Sequence, residues 1–153
     1  MVEIIDETQQ CPQPDLITEV LNRLLDERLS PDHSHIVTLI ICDDETIKTL
    51  NKAHRNEDAP TDVLSYPTHE PSDVRMPVVE QLGDVFISLD TAKRQAVTHK
   101  HSATEELLVL AAHGITHLEG YDHETEEAWQ TFHNAQTRVL ELYQEKLLAN
   151  PDL

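Results

Sequence analysis

Three histidines, His113, His117 and His123, are spaced so that one metal ion could bind them all. His113 and His117 are four residues apart, which places their side chains one turn apart on the same face of a helix. Gly120 can adopt the positive φ angle that ends a helix and reverses the chain, so His123 can approach from beyond that turn. Three imidazoles with an open fourth position are typical of catalytic zinc sites. The spacing therefore predicts one zinc ion per chain, bound by these three histidines.

The predicted site indicates hydrolysis or another metal-assisted displacement, because zinc lowers the pKa of a bound water to about 7 and polarises the oxygen under attack. The same histidine spacing occurs in metzincin proteases, whose motif HExxHxxGxxH carries a glutamate as general base. Gly114 occupies the position of that glutamate here, which disfavours a peptidase. A phosphodiester makes smaller demands on a base, since metal hydroxide or the 2′-hydroxyl of RNA can attack while a cation stabilises the charge. Three carboxylates are candidates to orient an imidazole through its second nitrogen: Glu119, Asp122 and Glu124.

The net charge of the chain and its local distribution favour different classes of partner. Its 153 residues include 11 Lys and Arg and 29 Asp and Glu, a net charge of −18. Such a field repels a polyanion and by itself favours a protein, peptide or small-molecule partner. Salt screens exposed charges over about 8–10 Å, however, so the local distribution matters more than the sum. Lys48, Lys52 and Arg55 follow i, i+4, i+7 spacing and form one basic stripe, which is either a solvated helix face or a substrate-binding surface for phosphates.

Length and composition indicate a single globular domain covering residues 1–153, since 39% of the residues are hydrophobic and 26% are charged. No apolar run reaches the roughly 18 residues needed to span a bilayer. The N-terminus has neither the basic nor the apolar region of a secretory signal. Two cysteines outside any CxxC motif are too few for a disulfide framework. We therefore predict a cytoplasmic protein with no membrane partner.

Hydrophobic periodicity predicts an α+β fold, in which a small mixed sheet of about four strands packs with about five helices. The predicted strands are 2–5, 35–42, 63–66 and 84–89, and the predicted helices are 14–29, 45–53, 90–98, 103–118 and 125–148. Asp90 is the predicted N-cap of the third helix, and residues 69–81, with two prolines, are a predicted loop. The helix 103–118 is apolar on most sides, which predicts a buried central helix carrying the metal site. The aromatic stripe of the last helix, including Trp129 and Phe132, is predicted to be core.

Three separated motifs resemble those of one family. The run from His113 to His123, HGITHLEGYDH, is similar to the HGxxHLxGYDH signature of the YbeY family of bacterial rRNA-maturation endoribonucleases. Residues 50–55, LNKAHR, and 58–67, DAPTDVLSYP, are similar to its LNxxYRxxDxPTDVLSFP. Residues 82–88, LGDVFIS, are similar to its LGDIxIS strand. Two differences are mild: His54 stands where the family usually has Tyr, and Tyr66 where it usually has Phe.

The resemblance implies a single-strand-specific endoribonuclease that acts in maturation of the 3′ end of small-subunit (16S) rRNA and in ribosome quality control. It implies zinc on the three histidines, with His113 and His117 also counted as catalytic. The family's important arginine maps onto Arg55, which favours phosphate contact over a solvated face for the stripe of Lys48, Lys52 and Arg55. The implied partners are ribosomal RNA and the ribosomal particle, with ribosomal or GTPase proteins as further candidates.

Some assignments stay open from the sequence alone. Thr61, Asp62 and Ser65 either serve ordinary turn chemistry or form the edge of a cleft that faces the metal. Three further histidines are predicted to lie at the surface: His99, His101 and His133. Two other functional classes compete with the ribonuclease. One is a metzincin-like metal-dependent hydrolase of peptides or small molecules, and the other is a non-catalytic ribosome-assembly factor.

Overall fold

The structure is a computed structural model that describes residues 1–29, 34–68 and 79–150. These residues form four strands and five helices in the order β1 (Val2–Asp6), α1 (Pro14–Arg28), β2 (Ser34–Cys42), α2 (Asp44–Arg55), β3 (Val63–Pro67), β4 (Val79–Ser88), α3 (Leu89–His99), α4 (Ala103–Leu118) and α5 (Glu126–Ala149). The predicted α+β class is confirmed, with each predicted helix and strand present. None of the helices in the described ranges combines the length and the apolar character that crossing a membrane requires.

The four strands form one mixed sheet in the order β1-β2-β4-β3. β1, β2 and β4 run parallel, and β3 pairs antiparallel with β4. The central strand β2 buries Val37, Leu39 and Ile41, as expected of a strand that is covered by helices. β3 lies at an edge of the sheet, and α4 packs against it and against β4. The candidate site lies at the boundary between α4 and β3.

The central helix α4 begins at a capping box. The Ser102 side chain accepts from the Glu105 amide, and the Glu105 side chain accepts from the Ser102 amide. This pairing satisfies two amides that the first turn would otherwise leave free. Leu107, Leu108 and Ile115 are buried in the main core together with residues of α1, the sheet and α5. Because those side chains fix the rotation of α4, its remaining face carries His113 and His117 toward β3.

Two predictions around β4 were wrong in detail. β4 begins at Val79, not at residue 84, because its pairing with β2 extends back to the Ser34–Val79 pair. Residues 79–81 therefore belong to a strand, whereas the rest of the predicted loop, 69–78, lies outside the described residues. The N-cap of α3 is Ser88, whose hydroxyl accepts from the Thr91 amide, so Asp90 is not the cap but lies in the first turn.

Two predictions about burial were also wrong, those for Trp129 and His101. Phe132 is fully buried, as predicted, but Trp129 is 39% exposed and does not belong to the core. His99 and His133 are exposed, as expected, whereas His101 is half-buried with its Nδ1 3.5 Å from a carboxylate oxygen of Glu106. Glu106 is itself buried, so His101 lies against the core at the turn between α3 and α4.

Candidate metal centre

The three predicted ligands come together at the C-terminal end of α4. His113, His117 and His123 each offer a nitrogen atom, and these atoms lie within 4.8 Å of one another. The ring centroids of His113 and His117 are 4.9 Å apart, and that of His123 is 5.5 Å from the first and 5.2 Å from the second. The group can therefore hold a metal ion, and the three histidines lie together as their spacing in the sequence predicted. Within the described ranges, no other cluster of histidine, cysteine or carboxylate side chains could do the same.

The turn after α4 brings the third histidine round and orients the second. Gly120 has a φ of 101°, which is the left-handed conformation that the sequence suggested for this position. Beyond it, the carbonyl oxygen of Tyr121 lies 3.2 Å from Nδ1 of His117 and accepts a hydrogen bond from it. A proton held on Nδ1 leaves Nε2 of His117 with its lone pair free. That nitrogen faces Nε2 of His113 at 3.2 Å.

The environment keeps two of these imidazoles neutral. Burial, together with the neighbouring His117 and His123, lowers the pKa of His113 to about 4. Burial also lowers the pKa of His117 below its ordinary value, again with His123 contributing. A histidine must be neutral to bind a metal ion, and both side chains meet that condition at pH 7.

Helix α5 supplies the wall behind the imidazoles. The ring of Phe132 has its centroid 4.7 Å from that of His113, 4.8 Å from that of His117 and 5.3 Å from that of His123. Trp129 is stacked on His123, with the centroids 4.7 Å apart and the planes inclined by 21°. The three histidines are therefore packed on an aromatic surface that shields one side of the site from water.

Gly114 lies where α4 approaches the sheet most closely. A Cβ atom at this position would lie 2.5 Å from Cγ1 of Val85 and 3.1 Å from Oγ of Ser65. The Ser65 hydroxyl donates to the Gly114 carbonyl oxygen at 3.1 Å, which ties β3 to α4. The glutamate of a metzincin would not fit at this position, so the packing and the sequence both argue against that mechanism.

A cleft of about 510 Å³ opens in front of the three histidines. Its other walls include the end of α2, at Arg55, the segment leading into β3, with Thr61 and Asp62, and β3 itself, with Ser65. The structure thus brings these four residues to the same cleft as the histidines. Asp62 also has a structural task, because its carboxylate accepts from the Val63 amide at 2.8 Å and from the Gln95 side chain at 3.2 Å.

The predicted basic stripe is divided between two surfaces. Arg55 is exposed in the cleft, and within residues 1–29, 34–68 and 79–150 it has no ion-pair partner. Lys48 and Lys52 line a separate surface depression, where each ammonium lies 3.9 Å from a carboxylate oxygen of Asp58. Arg55 is therefore the member of the stripe that faces the histidines.

Two of the three carboxylates suggested as orienting groups, Glu119 and Asp122, have other partners. Glu119 pairs with Arg28 at 2.9 Å, and Asp122 accepts from the Glu124 amide at 3.3 Å. Instead, Gln136 on α5 lies beside the predicted metal site, with its Nε2 3.4 Å from Nδ1 of His113. Sequence reasoning missed Gln136. Its spacing of four residues from the buried Phe132 was the available signal, since it places both on one face of α5.

Comparison with known proteins identifies what the chain is similar to. The model of the family described as Endoribonuclease YbeY matches residues 3–144, which include all three histidines. An Endoribonuclease YbeY of Thermus thermophilus is 49% identical over 106 residues, which is 69% of this chain and 75% of that relative. An Endoribonuclease YbeY of Bacillus cereus is 36% identical over 150 residues, which is 94% of this chain and 96% of that relative.

A solved structure supports the fold. The solution structure of a protein from Thermotoga maritima matches this one with a TM-score of 0.64 and 25% sequence identity. The match covers 95% of this chain and 93% of that protein, so the two share the fold over nearly their whole lengths.

Proposed function

We propose that this chain, which belongs to the YbeY family of endoribonucleases, cleaves single-stranded RNA in the cleft beside its three histidines. The observation that carries the proposal is that one cleft is lined both by the three histidines and by Arg55. The histidines can together hold a cation, and the exposed Arg55 guanidinium has no ion-pair partner among the described residues. A cation bound by the histidines and the guanidinium of Arg55 would together bind and activate a phosphodiester.

We propose zinc as the metal, held by His113, His117 and His123. Two nitrogen ligands of a tetrahedral zinc ion are about 3.3 Å apart, given a Zn–N distance of about 2.05 Å. The Nε2 atoms of His113 and His117 are 3.2 Å apart, which fits that requirement. A bound zinc ion would supply positive charge beside the reacting phosphate and lower the pKa of a coordinated water. The set of three imidazoles leaves a position for that water or for a phosphate oxygen.

Arg55, which lines the same cleft, would bind the phosphate. Its planar guanidinium can donate two parallel hydrogen bonds to phosphate oxygens, and it stays charged at any physiological pH. The charge on those oxygens grows as the P–O bond to the leaving nucleoside breaks, so the contact strengthens in the transition state. Lys48 and Lys52 are proposed to contact the RNA farther along the strand, once it competes with Asp58 for their ammonium groups.

The proposed physiological substrate is the 3′ end of 16S rRNA, with a further role in ribosome quality control. The net charge of −18 repels free RNA, which suggests that the ribosomal particle helps to bring the substrate to the cleft. Ribosomal or GTPase proteins are candidate partners for that docking. We also propose that residues 1–153 act as one domain in the cytoplasm.

The test compares cleavage of a single-stranded RNA spanning the 3′ end of 16S rRNA by zinc-loaded wild type and Arg55→Glu. We expect Arg55→Glu to lower kcat/KM by about 10²-fold or more, the size of effect seen when one transition-state donor is removed. Arg23→Glu is the matched control, because it makes the same charge change on α1, where Arg23 pairs with Glu145. It should stay within about threefold of wild type, since an exposed ion pair contributes little.

The other outcomes separate the competing functions. Equal cleavage by wild type, Arg55→Glu and Arg23→Glu would point to a contaminating nuclease and overturn the role of Arg55. Full zinc occupancy without cleavage of either free RNA or ribosomal particles would favour the assembly-factor function. The ends of the products identify the nucleophile, because attack by the 2′-hydroxyl leaves a 2′,3′-cyclic phosphate and attack by water does not.

A further inference from the structure

We propose that one face of α5 positions the metal ligands, and that Gln136 on that face accepts a hydrogen bond from Nδ1 of His113 once the ion is bound. The inference rests on the proposed metal centre and adds residues outside the ligand set. Trp129, Phe132 and Gln136 follow i, i+3, i+7 spacing, so they form one stripe along the helix. Each member of this stripe contacts at least one ligand imidazole.

The tautomer of His113 that binds the ion carries its proton on Nδ1, and Gln136 can accept the hydrogen bond from it. Nε2 of His113 faces Nε2 of His117, so the lone pair that binds the ion belongs to Nε2 and the proton belongs to Nδ1. The Gln136 amide lies 3.4 Å from that Nδ1 with its nitrogen nearer. Rotating the amide by 180° presents Oε1 instead, and this oxygen can accept the Nδ1 proton. Such an acceptor fixes the ring orientation and makes the imidazole a better ligand.

The second ligand is held in the same way by the backbone. Nδ1 of His117 donates to the carbonyl oxygen of Tyr121 at 3.2 Å, so its tautomer is also set by an acceptor behind the ring. No side-chain substitution removes a carbonyl group. Gln136 is therefore the orienting acceptor that mutation can test.

The orientation of the third proposed ligand, His123, depends on stacking. His123 follows the end of α4 and precedes α5, so no helix fixes its side chain. The nearly parallel contact with Trp129 restricts the imidazole plane, and Phe132 contacts the same ring at a steeper angle of 72°. This arrangement explains why Trp129 remains 39% exposed, since it packs on a ligand at the surface and not on the core.

The experiment measures zinc affinity in competition with a chromophoric chelator for metal-free wild type, Gln136→Leu, Gln136→Glu and Gln144→Leu. Gln136→Leu keeps a side chain of similar size but removes the acceptor, and we expect about 10–100-fold weaker binding. Gln136→Glu supplies a carboxylate acceptor and should bind zinc at least as tightly as wild type. Gln144→Leu makes the same change at an exposed position two turns along α5 and should leave the affinity unchanged.

A second readout follows the hydrogen bond itself. In zinc-loaded wild type, the Nδ1 proton of His113 should give an NMR signal protected from exchange with water, and Gln136→Leu should lose that protection while its circular dichroism stays native. Equal affinity of wild type and Gln136→Leu, or equal weakening by Leu and Glu, would overturn the positioning role alone. A folded wild type that binds no zinc would instead overturn the proposed metal centre.

Discussion

At the scale of single residues, the site depends on how closely α4 approaches the sheet. Gly114 lies between His113 and His117, the two predicted ligands that share a helix face, and its carbonyl oxygen accepts a hydrogen bond from the Ser65 hydroxyl. Val85, which a side chain at position 114 would meet, is fully buried and β-branched, so it has little freedom to move aside. Gly114 therefore determines how far His113 and His117 lie from β3 and from the cleft.

Gly114→Ala should destabilise the protein, although alanine normally favours a helix. In an open helix the change would gain about 1 kcal/mol. Here the new methyl group overlaps with Val85, and overpacking of a core costs about 1–3 kcal/mol. The free energy of unfolding, measured by urea denaturation of the metal-free protein, checks the sign of the effect.

The companion variant for Gly114→Ala is Val85→Ala, which removes both methyl groups that the new Cβ would contact. In the double variant, the loss caused by Gly114→Ala should become smaller than it is beside Val85, giving a coupling energy of about 1 kcal/mol. A Gly114→Ala protein as stable as wild type would contradict the close packing of α4 on the sheet.

At the scale of elements, the first turns of α2 and α3 are held together by one carboxylate. Oδ1 of Asp44 accepts from the Ser88 hydroxyl at 2.6 Å and from the Thr91 hydroxyl at 2.7 Å, and Oδ2 accepts from Arg94 at 2.7 Å. Burial alone would raise the pKa of Asp44, but these hydrogen bonds together outweigh it and lower the pKa below its ordinary value of 3.8. The ends of β2 and β4 are thus fixed relative to α2, which carries Arg55.

Asp44→Asn should lower the free energy of unfolding at pH 6 by about 1–3 kcal/mol, because it leaves hydrogen-bond donors without a charged acceptor. A carboxyl group with a lowered folded pKa stabilises the protein above its unfolded pKa and loses that effect as pH falls through the folded pKa. The difference between wild type and Asp44→Asn should therefore shrink at pH 3. Chemical denaturation at both pH values measures it.

The control is Asp26→Asn, which removes an exposed carboxylate from the last turns of α1. Its effect should stay within about 0.5 kcal/mol, as is usual for surface substitutions. If the loss in Asp44→Asn were the same at pH 6 and pH 3, the hydrogen bonds to the ionised carboxylate would not be its cause.

These contacts show what a sequence can and cannot predict at this scale. The periodicity of α4 and the histidine spacing depend only on neighbouring residues, so both were predicted. The cap of α3 was assigned to Asp90 because Asp is a common cap, but Ser88 is fully buried in this role and bonds to Asp44, 44 residues away. Gln136 was missed for the same reason, since its partner His113 lies on another helix.

At the scale of the whole molecule, the charge of the surface and the charge of the cleft oppose each other. The net charge is −18, whereas the cleft presents Arg55 and the proposed cation. The repulsion acts over the Debye length, which is about 30 Å at 10 mM salt and about 8 Å at 150 mM. The attraction acts at contact, where salt screens it less. RNA therefore meets a long-range barrier before it reaches a short-range attraction.

The kcat/KM for a short single-stranded RNA should consequently rise as KCl increases from about 10 to 150 mM, because salt screens the repulsion that slows the encounter. Proteins with many phosphate contacts show the opposite trend, since salt weakens their binding.

Replacing Glu3 and Asp26 by Lys changes the net charge from −18 to −14 at two exposed positions, one of them on the edge strand β1 opposite β3. This variant should cleave faster at 10 mM salt and show a flatter dependence. A kcat/KM that falls steadily with salt in both proteins would mean that local phosphate contacts, and not the field of the whole molecule, control the encounter.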